Sequence, residues 1–205
     1  MIHINEISGE SVLAATLRYD LAPIPVSFEA TIAINQHVQN LPLDGTSIVV
    51  NGQAFTIVKH GPQRGGQFII GERAAVAMPI IAFPTSVVGL AQQRRSAVIR
   101  RGANLSEIYR ACGASANLTG DIAIASFATL VGDTPTFMIT RVLQEEGACI
   151  SWQGRGLRVD RLLDLASRKA EHSLAEGQFE AVQSNLLERD DIPVYSSCDA
   201  KGAVI

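Results

Sequence analysis

Aromatic and charged side chains are scarce in this 205-residue chain, at 5% and 18% of the residues. The net charge is only −3, from 17 basic and 20 acidic residues, which excludes a global field that would draw the protein to nucleic acid or to an anionic membrane. Hydrophobic residues reach 47%, enough to bury a sizeable core. The composition therefore predicts a folded protein in which any contact with a polyanion is local.

Cysteine is also rare in the sequence. The three cysteines, Cys112, Cys149 and Cys198, are too far apart for a metal knuckle or a redox pair, and their odd number argues against a disulfide framework. A reducing compartment for assembly is the simplest interpretation. The first ten residues have no basic start and no long apolar stretch, so we expect no signal peptide.

A long uncharged run extends from Ala74 to Gln92, and its length approaches that of a membrane span. However, Pro79 and Pro84 lie inside this run, and each proline lacks a backbone donor that lipid cannot replace. We expect a buried, bent strand region without stable membrane insertion. A membrane-active segment is the alternative.

Sequence motifs for catalysis and metal binding are missing. There is no GxSxG nucleophile elbow, and "GPQRGG" lacks the Lys-Ser/Thr ending of a phosphate loop, so it is interpreted as a hairpin loop. The histidines are isolated, without HxH or HExxH spacing, at His3, His37, His60 and His172. We therefore expect a non-enzymatic protein with no catalytic residues, no metal site and no cofactor.

Basic residues cluster in "RRSAVIRR", which contains Arg94, Arg95, Arg100 and Arg101. Arginines this close together can grip phosphates, but no aromatic residues are interleaved with them for base stacking. A solvated surface or an interface is therefore the preferred interpretation, and phosphate binding is the alternative. These four arginines are the candidate binding residues, for contacts at a subunit interface or along a channel lumen.

The first 90 residues have the patterns of antiparallel β structure. In "PVSFEATIAI", residues 25–34, apolar and polar side chains alternate with the period of a half-buried strand. Asn51-Gly52 lies between two β-branched runs and favours a type I′ hairpin turn. We expect "HGPQRGG" to be a loop and "QFIIGERAAVAM" to resume strand structure.

A short helix is predicted at residues 104–112. Asn104 can cap its start, with Glu107 as the reciprocal partner in a capping box. Gly113 is placed to end the helix in a left-handed conformation.

A second helix is predicted at residues 135–146. Thr134 is its N-cap, Pro135 its first residue and Gly147 its left-handed terminator. Its expected apolar face consists of Phe137, Met138, Ile139, Val142 and Leu143. The segments "ACISW" and "LRVDRLL" follow as a hairpin, joined by the turn "QGRG".

The acidic pair at the end of the second helix, Glu145 and Glu146, attracts attention as a possible acid–base pair. Neighbours on a helix point about 100° apart, so they cannot easily flank one substrate atom. We interpret them as structural, with Gln144 and Glu145 toward solvent. Both lie where the helix dipole disfavours anions, so a compensating cation or an interface is expected.

The order of these parts resembles the tube-forming hub proteins of phage tail baseplates and the related type VI secretion spike proteins. In that family a helix containing an aromatic residue, Arg and Leu passes through Glu-Glu-Gly or Glu-x-Gly into a strand with an aromatic residue. The residues that match this form are Phe137, Arg141, Leu143, Glu145, Glu146, Gly147 and Trp152. "NLSEIYRACG", "VSFEATI" and "TSIVVNGQAFTIV" are similar to other parts of the same domains, so the resemblance covers roughly residues 20–163.

This resemblance implies a mainly β protein with short helices, of the α+β class, built from two small β-barrel-like tube domains. The domains would span residues 1–90 and 91–165, followed at 166–205 by a helical segment and an extended tail. It implies a homotrimeric ring with pseudo-sixfold symmetry that joins a tail tube to a spike, with transient passage of DNA through its channel. The protein would belong to the virion and be assembled in the bacterial cytoplasm.

Two other functions compete with this interpretation. One is a small β-rich enzyme or ligand-binding domain whose site is assembled from distant residues; it predicts a closed pocket and no ring. The other is a membrane-active tail component that uses Ala74–Gln92, which predicts binding to liposomes.

Overall fold

The computed structural model describes residues 12–34, 44–61, 64–70 and 73–169, with backbone alone at 64–70 and 73–74. The described residues up to Ser167 belong to one compact unit, and a second unit begins at Arg168. The described elements of the first unit are, in chain order, β1 Val12–Tyr19, β2 Val26–Ile34, β3 Ser47–Val50, β4 Gln53–His60, β5 Arg64–Ile70, β6 Arg73–Pro84, a 3-10 turn Val88–Ala91, β7 Val98–Asn104, α1 Leu105–Ala111, β8 Leu118–Thr119, β9 Ala123–Thr129, α2 Pro135–Glu145, β10 Ala148–Gln153, β11 Gly156–Arg161 and α3 Leu162–Ser167. The predicted class, mainly β with short helices, is confirmed.

Strands β1 to β6 form a curled, half-barrel sheet in the order β1-β2-β6-β4-β3, with β5 also paired to β6. All its pairings are antiparallel. In β2 the alternate residues Val26, Phe28, Ala30 and Ile32 are buried, which confirms the strand predicted at 25–34. These side chains join alternate residues of β3, β4 and β6 in one apolar cluster.

The hairpin predicted at Asn51-Gly52 is confirmed. Asn51 has φ 51° and Gly52 φ 77°, the left-handed values of a type I′ turn, and Val50 pairs with Gln53 across it. The prediction that "HGPQRGG" is wholly a loop is wrong, because β5 begins at Arg64, which pairs with Ala77. The 12-residue β6 extends beyond the end of β4. β5 pairs with the part of that edge that β4 leaves free, and this pairing outweighs the low strand propensity of the glycines in β5.

Pro79 lies inside β6, where a proline normally breaks a sheet. Thr31 of β2 is opposite Pro79, while the Gly61 N–H donates to the Pro79 carbonyl at 2.8 Å on the other side. The nitrogen and oxygen of one strand residue point to the same side, so the missing donor faces the gap where β4 gives way to β5. Pro79 therefore costs β6 no hydrogen bond to β2.

The uncharged run from Ala74 to Gln92 contains all of β6 except Arg73, together with the 3-10 turn Val88–Ala91. Its buried side chains include Met78, Ile80 and Leu90, as expected of a buried strand region. Among the described residues, no helix has both the length and the apolar character needed to span a bilayer.

The elements after residue 90 form two small sheets and carry the helices. Strands β7 and β9 pair antiparallel, and β10, β11 and β8 form a three-stranded sheet in which β8 is parallel to β11. Their buried residues join those of α1 and α2 in a second apolar cluster. Trp152 packs against both clusters, and the Tyr109 hydroxyl donates to the Pro23 carbonyl at 3.1 Å. Both contacts link β7–β11 to the N-terminal sheet.

Helix α1 has the ends that its sequence predicts. The Asn104 N–H donates to Glu107 Oε2 at 3.0 Å within a capping box. At the other end, the N–H groups of Gly113 and Ala114 donate to the carbonyls of Arg110 and Tyr109, each at 3.0 Å. This is the Schellman pattern of a glycine-terminated helix, so both predicted caps are confirmed.

Helix α2 begins with Pro135 at N1, and Thr134 precedes it in an extended conformation without a side-chain cap bond. The predicted apolar face is wrong at Phe137, whose exposed fraction is 74%. The buried face instead consists of Pro135, Ile139, Val142 and Leu143. Residue 137 lies about 200° around the helix from residue 135 and thus on the opposite side. Gln144 and Glu145 are exposed, as predicted.

The hairpin after α2 is confirmed, with Trp152 opposite Leu157 and Gln153 opposite Gly156. Its second strand is shorter than expected, because α3 begins at Leu162 and includes the two leucines assigned to the strand. Most of the predicted helical segment and tail at 166–205 lies outside the described residues. The boundaries of the two tube domains stay predictions.

Candidate functional site

Arg94 is separated by its contacts from the other three candidate arginines. Its Nη1 donates to the Cys112 carbonyl at 3.2 Å and its Nη2 to the Ala111 carbonyl at 3.3 Å. Its backbone also bonds to the turn before α2, at Gly132 and Asp133. The guanidinium therefore caps the C-terminus of α1, where a cation complements the helix dipole. This is a structural role inside the subunit.

Arg100 and Arg101 lie on β7 and line an open cleft of about 550 Å³ between that strand and α1. Arg110 and Glu107 line it from α1, and the rest of its wall is Gly102, Ala103 and Ala111. The residues that line the cleft thus include three arginines and one glutamate. Arg95 is exposed and is not part of this lining.

Sequence reasoning missed Arg110, which lies nine residues beyond Arg101 in the chain. A signal was present: Glu107 and Arg110 are three residues apart in a helix predicted from its caps, so they share one helix face. What the sequence does not supply is the packing of that face beside β7. The interface or lumen role of the four arginines stays a prediction.

The arginines of this cleft differ from four other arginines in the described part of the chain. Those four have carboxylate partners: Arg18–Glu29 at 3.8 Å, Arg141–Glu145 at 2.9 Å, Arg158–Asp160 at 3.0 Å and Arg161–Glu146 at 3.8 Å. Within the described residues, Arg100, Arg101 and Arg110 have no such ion pair; Arg100 donates only to the neighbouring Ile99 carbonyl, at 3.0 Å. Glu107 is engaged by the Asn104 N–H. Positive charge therefore predominates in the cleft.

Tyr109 lies in the last turn of α1, and Cys112 follows the helix as its C-cap. Burial raises the pKa of the Cys112 thiol, and the positive charges of Arg94 and Arg100 partly offset that effect. Burial, with a smaller contribution from Cys112, raises the pKa of Tyr109 well above its ordinary value. Both groups are therefore neutral at physiological pH, and Tyr109 serves as a hydrogen-bond donor.

The two glutamates at the end of α2 have separate arginine partners. Glu145 pairs with Arg141 one helical turn away, and Glu146 pairs with Arg161 on β11. Gly147 follows with φ 58°, the left-handed conformation predicted for the helix terminator. The compensating cations expected for these anions are thus Arg141 and Arg161, and both carboxylates have structural partners.

The remaining candidate groups are dispersed. His60 Nδ1 lies 2.8 Å from Asp44 Oδ1 on the exposed rim of the N-terminal sheet, and His3, His37 and His172 lie outside the described residues. Cys112 and Cys149 are buried thiols, and Cys198 is likewise outside. Within the described ranges, no group of three His, Cys, Asp or Glu side chains is placed to hold a metal ion.

Comparison with known proteins gives little beyond this geometry. No family model matches the sequence, and no curated protein matches it. The chain aligns with the crystal structure of prophage tail protein gp18 from Listeria monocytogenes EGD-e at 12% identity and a TM-score of 0.46, over 84% of this chain and 50% of the other. It spans about half the length of that protein. An alignment at this TM-score does not establish a family.

Proposed function

We propose that the chain is a structural, non-enzymatic subunit of a phage tail or phage-like injection machine. In this proposal it is a baseplate hub or tail-tube component that joins the tail tube to the spike. The observation that carries the proposal is the corner around Gly147, where a helix passes through Glu-Glu-Gly into the Trp152 hairpin. That segment resembles the hub family in sequence, and its glutamates are used in ion pairs with Arg141 and Arg161.

The surface around α2 supports assembly with other chains. Of the seven described large hydrophobic side chains that are more than half exposed, three lie on α2 or just before it: Leu130, Val131 and Phe137. A contiguous exposed apolar patch marks an interaction site, and in this proposal these three side chains form part of one. An obligate interface buries roughly 2,000 Å² or more. The assembly we propose is a homotrimeric ring with pseudo-sixfold symmetry, formed in the bacterial cytoplasm and carried in the virion, with DNA passing through its channel.

The solution mass of the full chain tests this proposal. Light scattering should give about three times the 21.9 kDa of one chain, and electron microscopy should show a ring with an open centre. A strict monomer at high concentration, and also in the presence of its natural tail neighbours, would overturn the proposal. That result would favour the enzyme or ligand-binding alternative.

Phe137→Ser tests the α2 surface as a contact between subunits. Removing a large apolar side chain that is exposed in the subunit should shift the mass toward the monomer without lowering the subunit's stability. Gln144→Ser is the matched control, because residue 144 lies seven positions further on the same exposed face. If Phe137→Ser and Gln144→Ser give the same mass as the unmodified chain, the ring contact does not involve α2.

A further inference from the structure

We propose that the cleft between β7 and α1 binds the phosphodiester backbone of a nucleic acid, through Arg100, Arg101 and Arg110. Three of the seven residues that line it are arginines, and these three have no ion pair within the described residues. Like charges held together repel, which an anionic ligand relieves. Guanidinium groups suit phosphate because their planar fork donates two parallel hydrogen bonds to its oxygens.

The contacts of Arg94 strengthen this site. A helix C-terminus next to an anion site is normally unfavourable, because its free carbonyls carry partial negative charge. Here the Arg94 guanidinium binds the carbonyls of Ala111 and Cys112, at the end of α1 that borders the cleft. Arg94 thus compensates the partial negative charge at this helix end. The positive charge of the other three arginines remains available to a ligand.

The lining favours a nucleic-acid backbone over an acidic protein. Apart from the charged side chains it contains Gly102, Ala103 and Ala111, whereas protein interfaces centre on large apolar or aromatic anchors. No aromatic side chain is present in the lining for base stacking. Contacts limited to phosphate position a strand without reading its sequence. The expected binding is therefore independent of sequence and sensitive to salt.

Fluorescence anisotropy of the full chain with labelled DNA of about 20 nucleotides, single-stranded and duplex, provides the test. If the chain makes three phosphate contacts on duplex DNA, a plot of the logarithm of the binding constant against the logarithm of the salt concentration should have a slope of about −2.7 or steeper. The affinity should then fall about 40-fold between 50 and 200 mM salt. Arg101→Gln and Arg110→Gln should each reduce that slope by about 0.9. Both residues are exposed, so both variants should fold normally.

Arg155→Gln is the control, because Arg155 is exposed in the β10–β11 turn and does not line the cleft. It makes the same change of net charge and should leave the slope unchanged. Equal slopes for all three variants would overturn the proposal. Competition by poly-glutamate as effective as that by DNA of equal charge would also overturn it, in favour of an acidic protein. The solution mass of each variant is measured separately, because the ring proposal does not depend on DNA binding. A change in slope without a change in mass therefore concerns the cleft alone.

Discussion

The N-terminal sheet and the region from β7 to β11 both enclose an apolar cluster, but they build it from different elements. In the first region the cluster comes almost entirely from alternate residues of paired strands, as in β2 and β6. In the second region two helices supply many of the buried side chains, and the strands form separate sheets of two and three. The first core thus depends on strand pairing, and the second depends on where each helix begins and ends.

The largest expected effect tests whether these two cores unfold together. Phe28→Ala removes a fully buried ring whose centroid lies 6.1 Å from that of Phe55, and should cost about 3–5 kcal/mol. Ile150→Ala in the second core should cost about 2–5 kcal/mol. Because Trp152 contacts both clusters, its fluorescence during urea unfolding should report a single transition in either variant. Two separate transitions would show that the cores are independent.

Gly147→Val examines the second region's dependence on helix ends. Gly147 has φ 58°, and a Cβ placed there would have open space around it, so the cost comes from the left-handed backbone and not from a clash. A β-branched residue there should destabilise the protein by about 1–2 kcal/mol. Glu146→Gln, which weakens only the 3.8 Å pair with Arg161, should have a milder effect. An unchanged melting temperature in Gly147→Val would mean that the corner does not limit stability.

Tyr109→Phe tests the contact between the regions and has the smallest expected effect. Loss of the hydroxyl's bond to the Pro23 carbonyl should cost about 1 kcal/mol at neutral pH. Burial raises the folded-state pKa of Tyr109 above its usual value, so its contribution is fully present below pH about 10 and is lost as pH rises further. The free energies of unfolding of the unmodified protein and of Tyr109→Phe should therefore converge above that pH, by up to about 1.4 kcal/mol per pH unit. Urea unfolding across this range checks the convergence, and a constant difference would contradict it.

Local chemistry accounts for the parts of the fold that the sequence predicts well. Alternation marks β2, the Asn51-Gly52 turn fixes the β3–β4 hairpin, and the caps of α1 are confirmed at Asn104 and Gly113. Each signal acts over a few residues, so it is visible without knowing what packs against it.

The missed features depend on distant partners. β5 begins at Arg64 because β6 offers a free edge there, and Phe137 is exposed because other α2 residues face the core. The four clustered arginines do not share one site, because Arg94 binds carbonyls at the end of α1, whereas Arg100 and Arg101 line the cleft together with Arg110. Long-range packing decides all three outcomes, so spacing along the chain cannot predict them.

Pro79 has a consequence for how this chain can change in evolution or engineering. The missing donor marks a fixed position on β6 at which one partner strand stops and another starts. A proline is therefore tolerated in β6 at this position, between the stretches paired with β4 and with β5. Shifting the proline by one residue would turn the missing donor toward β2 and remove a hydrogen bond from the middle of the sheet.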